Sequence, residues 1–117
     1  WYNSSLQMAR IARAGGYPYY HFLQPNLHML KGKPLSHEEK SKLDSGKQFG
    51  DRVRVGYPML QKLGQRLEAA GVQFFDLSSV FGASSETLAA DDCCHFNRKG
   101  DGIIAEVVGR VIVQSWR

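Results

Sequence analysis

The chain has 117 residues, enough for one domain with one modest core, and its hydrophobic fraction of 43% excludes a disordered chain. No apolar run reaches the roughly 18 residues of a membrane-spanning helix. The net charge of +4 comes from 15 Lys and Arg against 11 Asp and Glu, but the basic residues are scattered among acids, so no nucleic-acid partner is implied.

The first element is a helix over "NSSLQMARIARAGG", with Asn3 or Ser4 as its cap, Leu6, Met8, Ala9, Ile11 and Ala12 as its apolar stripe, and Gly15-Gly16 as its stop. The aromatic run "YPYYHFLQP" reads as a buried strand over residues 19–24, closed by Pro25. A loop follows, punctuated by Gly32 and Pro34. Ser36 and Glu39 fit a capping box with Leu35 as its staple, so a second helical region starts there and runs to Ala70. Breaks are expected at Gly50 and at Gly56-Tyr57-Pro58, where Pro58 can open a new helix, with Leu60, Leu63, Leu67 and Ala70 facing the core. "VQFFDLS" reads as a second buried strand ending at Asp76, followed by a long loop. The last helix carries Ile103, Ile104, Val107, Val108, Val111 and Ile112. Helix, strand, helix, strand, helix implies an α/β fold with a parallel sheet. Two strands are few for such a domain, and Trp1 opens on what reads as mid-domain structure, so the chain is expected to be part of a longer one.

The densest chemistry is "DDCCHFNRKG", Asp91 to Gly100. Cys93, Cys94 and His95 are consecutive and cannot easily converge on one tetrahedral metal, so no metal site is expected. Adjacent cysteines can close only a rare eight-membered ring, which excludes a disulfide scaffold. Asp92 and His95 stand three apart ahead of a helix. A tight turn can fold the Asp92 carboxylate onto one imidazole nitrogen and leave the other as a general base; equally, Asp92 can cap the turn and His95 fill space. Gln24 and Asp76, at the strand ends, are pocket or capping residues, while His21, His28 and His37 read as strand, loop and helix-start residues.

"DCCHFNRKG" followed by a C-terminal apolar helix resembles the last sequence block of the SGNH (GDSL-type) esterase and lipase family, which carries an Asp-x-x-His pair. "YYHFLQPNLHMLKGKPLSHEEK" resembles the strand, loop and helix after that family's third block, and "GVQFFDLSSVFG" its next strand and loop, so the resemblance covers nearly the whole chain. It implies the C-terminal portion of a three-layer α/β sandwich with a central parallel sheet. It also implies an ester hydrolase without cofactor, acting on a small-molecule, carbohydrate or lipid ester. His95 becomes the general base and Asp92 its orienting acid. The serine nucleophile, and the glycine and asparagine of the oxyanion hole, have no match here and are expected before Trp1, which leaves this chain alone inactive. Asp44-Ser45-Gly46 is the nearest imitation of the nucleophile motif, but it follows no strand and reads as a surface turn. The competing reading is a non-catalytic binding or structural module, distinguished by whether a Gly-Asp-Ser stretch precedes Trp1.

Overall fold

The structure, a computed structural model, describes residues 1–116. Its elements are α1 (Tyr2–Gly15), β1 (Tyr20–Leu23), a 3-10 turn (Leu27–Met29), α2 (His37–Ser45), α3 (Lys47–Ala69), β2 (Gln73–Asp76) and α4 (Arg98–Ser115). The fold is mixed α/β. Among the described residues the sheet consists of β1 and β2, which run parallel with Tyr20 opposite Gln73 and Leu23 opposite Asp76. Parallel strands need a long crossover, and α2 with α3 supplies it.

Helix α1 starts earlier than its capping residues suggest. Trp1 occupies the cap position without a side-chain cap bond, and the Ser5 N–H already reaches the Trp1 carbonyl. Packing is the reason: the Tyr2 ring lies against the core and under the Arg66 guanidinium, and this holds the first turn wound. At the other end Gly16 takes φ 76° and closes the helix on the Ala12 and Arg13 carbonyls. The Ser36–Glu39 capping box forms in both directions.

The expected breaks at Gly50 and Gly56-Tyr57-Pro58 do not occur; α3 runs through all of them with Pro58 inside it. Pro58 stands on the exposed side of the helix, and Val53, Tyr57, Leu60 and Leu67 anchor the helix on both sides of it. The break falls at Gly46 instead, where a side chain would collide with the Asp92 carbonyl.

Alternation along the strands divides the sheet into two faces. One carries Leu23 and Phe74, which join Leu67 and Val72 in a core covered by α1 and α3. Burying a side chain of this kind stabilises the fold by about 1.5–3 kcal/mol. Gly64 has no side chain because the Phe74 ring occupies that space. The other face carries Phe22 and Phe75, stacked with ring centroids 5.2 Å apart. Helix α4 runs beside this face, leaving clefts lined by Phe22, Ile104 and Val108 and by Phe75 and Val111. A second cluster, Phe81, Leu88 and Phe96 with Ile103 and Ile104, fastens the segment before α4 to that helix. No helix among the described residues is long and apolar enough to cross a membrane.

Candidate functional site

The segment between Leu88 and Asn97 is a closed loop. The Asn97 N–H donates to the Leu88 carbonyl at 2.8 Å and the Ala90 N–H to the His95 carbonyl at 2.9 Å. Inside it, Asp91 Oδ1 accepts the N–H groups of Cys93, Cys94 and His95 at 3.0, 2.9 and 3.1 Å. Asp91 Oδ2 lies 2.5 Å from His95 Nδ1.

The acid on His95 is therefore Asp91, and the expected Asp92–His95 contact is corrected. An aspartate at the head of a tight turn accepts N–H groups two to four residues ahead, which carries its second oxygen over the side chain four positions on. Asp92 stands one residue too late. Its carboxylate turns to the Ser45 hydroxyl at 3.4 Å, and its carbonyl accepts from His28 Nε2 at 2.8 Å.

The His95 hydrogen bond, followed by the N–H groups of His95, Cys93 and Cys94, outweighs burial and holds the Asp91 carboxyl well below the usual carboxylate range. An ionised carboxylate can only accept, so Nδ1 carries the proton it faces and Nε2 is the basic nitrogen. The His95 side chain is 77% exposed, so a reacting group can reach it.

His95 stands in the wall of a cleft of about 490 Å³, with Phe22, Gln24, Leu77, Phe96 and Ile104 around it. Gln24 follows the last residue of β1 and Leu77 the last residue of β2, so the cleft opens beyond the C-terminal ends of both strands, where ligands gather in open α/β sheets. Gln24 Nε2 donates to the Cys94 carbonyl at 2.6 Å and ties the loop to that edge.

The loop is also held from α2. The Glu39 side chain is fully buried, with Oε2 on Lys33 Nζ at 2.7 Å and Oε1 accepting the Leu88 and Ala89 N–H groups at 2.9 and 3.3 Å. Burial pushes the Glu39 carboxyl up, but these bonds and the Ser36 N–H together pull it below its ordinary value.

The remaining candidates sit apart from the cleft. Asp76 accepts from the Ser78 N–H and from Gln61, as a capping carboxylate does. His37 opens α2, while His28 is buried in the 3-10 turn. His21 Nδ1 is 2.6 Å from Ser5 Oγ, on the face covered by α1; Ser5 is 3% exposed, so this serine–histidine pair is a core contact. Ser45 closes α2 and touches Asp92, not His95. Cys93 and Cys94 are joined to each other, so the rare eight-membered ring is present and cross-links no distant segments. Among the described residues no group of three or more His, Cys, Asp or Glu is placed to hold a metal ion.

Sequence reasoning missed the anchoring roles of Glu39, Lys42 and His28. The Ser36–Glu39 capping pattern marks Glu39, but only the fold reveals a second partner for its carboxylate. Comparison with family models, with curated proteins and with solved structures finds no match for the chain.

Proposed function

We propose that this chain carries the base half of an ester hydrolase site, as the C-terminal part of an SGNH-type domain. The single observation behind this reading is the Asp91 carboxylate 2.5 Å from Nδ1 of an otherwise exposed His95 at the edge of a cleft. The resemblance of three stretches to the family, in the family's order, supports it, and so do the sheet faces, with α1 and α3 on one and α4 beside the other. In a complete three-layer sandwich further parallel strands would extend this sheet, and one of them would present the serine.

The chemistry is acyl transfer. His95 Nε2 takes the serine proton as the hydroxyl oxygen attacks the ester carbonyl. Asp91 keeps Nδ1 protonated and stabilises the imidazolium that forms. The imidazolium then gives its proton to the departing alcohol oxygen. Water attacks the acyl-enzyme with His95 again acting as base, which releases the acid and frees the serine. No cofactor takes part. Small-molecule esters, carbohydrate O-acetyl esters and lipid acyl esters all fit this scheme.

The test uses the intact protein with a short-chain nitrophenyl ester and a serine-directed phosphonate. Turnover that is abolished by the phosphonate and falls by roughly 10³-fold or more in His95→Ala is the expected result. Undiminished turnover by folded His95→Ala removes the assignment, and absence of both turnover and labelling leaves a non-catalytic module.

A further inference from the structure

Glu39 does more than capping requires. A capping box needs one oxygen on the Ser36 N–H, and Oε2 provides it at 3.1 Å. Oε1 is spent on a different segment, accepting from Leu88 and Ala89 about fifty residues away. One turn along α2, Lys42 Nζ donates to the Ala89 carbonyl at 2.7 Å. Helix α2 therefore grips both polar groups of the Ala89 backbone.

Ala89 is two residues before Asp91, and Leu88 is bonded to Asn97, two residues after His95. The loop's own hydrogen bonds join Asp91 to His95, but its stance over the cleft is set at its root. A buried carboxylate held on Lys33 is a fixed acceptor, because its rotamer is locked and water cannot compete for it.

We propose that Glu39 and Lys42 are positioning residues for the Asp91–His95 pair: from α2 they fix the root of its loop, and through it the place of the imidazole at the cleft. The proposal rests on the hydrolase reading, in which a misplacement of about 1 Å costs on the order of 10²-fold in rate.

Two double variants separate anchoring from mere stability. Lys33→Met/Glu39→Met replaces a buried ion pair by apolar groups of similar size, a change that folds tolerate, but it removes the acceptor for Leu88 and Ala89. Lys33→Met/Glu39→Gln also removes both charges and keeps one carbonyl oxygen for those N–H groups, giving up the Ser36 N–H bond as the Met/Met variant does. Both are made in the intact protein, and the Asp91 carboxyl is titrated by carbon NMR alongside ester turnover. In the Met/Met variant the Asp91 titration moves up toward the ordinary carboxylate value, and kcat falls by at least roughly tenfold with little change in KM. The Met/Gln variant recovers most of both. Lys42→Met, at a half-exposed position, shifts Asp91 in the same direction. Identical Asp91 titrations in wild type, both double variants and Lys42→Met overturn the proposal. If the Met/Met variant does not fold, an unmoved Asp91 in Lys42→Met overturns it alone. An intact wild type without esterase activity removes the hydrolase reading, and the Asp91 titration still decides whether α2 positions the pair.

Discussion

His28 Nε2 donates to the carbonyl oxygen of Asp92 at 2.8 Å, across 64 positions of sequence. The ring reaches it because Gly46 and Gly50, one turn apart where α2 gives way to α3, leave room for it. A β-carbon at Gly50 would collide with the His28 ring, which its hydrogen bond and burial prevent from yielding.

Gly50→Ala is therefore expected to destabilise the protein, against helix propensity. Alanine gains about 1 kcal/mol over glycine in a helix interior, while overpacking costs about 1–3 kcal/mol and loss of the His28 bond about 1 kcal/mol more. Gly56→Ala is the control, because a β-carbon there meets nothing and the propensity gain stands alone. Thermal melts should place Gly50→Ala below wild type and Gly56→Ala above it. A Gly50→Ala melt at or above wild type refutes the account of His28.

The two neighbouring acids separate cleanly by mutation. On the proposed hydrolase reading, Asp91→Asn keeps the shape of the turn but holds His95 in the wrong tautomer, and ester turnover in the intact protein should fall by roughly 10⁴-fold. Asp92→Asn leaves the carbonyl that His28 uses untouched and should cost less than roughly fivefold, the range expected of an exposed side chain outside the site. Kinetics on both variants decide the matter, and the reverse order of effects restores Asp92 as the partner.

The sequence carried the parts of this fold that local chemistry determines. The Ser36–Glu39 cap and the Gly16 stop are fixed by residue type, and both strands announced themselves by short aromatic and apolar runs. What was illegible depends on contacts between distant segments. Pro58 inside α3 is tolerated because of packing on both sides of it, which no local rule records. The choice of Asp91 over Asp92 turned on the direction of a carboxylate within a turn, and spacing alone does not give direction. The buried Lys33–Glu39 pair was invisible for the same reason: both residues are ordinary surface types until the fold closes over them.

Acid should destabilise this protein through three carboxylates and a histidine. Besides Glu39 and Asp91, Asp76 is pushed up by burial but held below its ordinary 3.8 because its Ser78 and Gln61 hydrogen bonds outweigh that burial, and burial holds His21 below its ordinary 6.5. Glu39 and Asp91 both have folded values below their ordinary ones of 4.5 and 3.8. For a depressed group the stabilisation is full above the ordinary value and is lost as pH falls through the folded value. Unfolding free energy from denaturant titration should thus decline gently as pH falls below about 6.5, where the folded state resists protonation of His21, and more steeply below about pH 5. Asp91→Asn should flatten the part of the decline below the ordinary value of 3.8, because its folded carboxyl is held well below that value. Parallel curves for wild type and Asp91→Asn over that range contradict the proposed hold on Asp91.

The Cys93–Cys94 pair lies between Asp91 and His95, and its two N–H groups are among those that Asp91 Oδ1 accepts. The closed ring limits the rotations available to the two residues that present those donors. Opening it should therefore relax the turn. A dithiol reductant supplies two electrons and two protons to the pair and is itself oxidised to a disulfide, leaving two thiols free to rotate apart. Peptide mass spectrometry without reductant should find the Cys93–Cys94 peptide two hydrogens lighter than the dithiol form. Carbon NMR of the reduced intact protein should then show Asp91 titrating closer to its ordinary value, with weaker protection of the Cys93 and Cys94 amides from exchange. A peptide already carrying two thiols before reduction removes the ring from the account. An unchanged Asp91 titration after reduction shows instead that the aspartate turn stands without it.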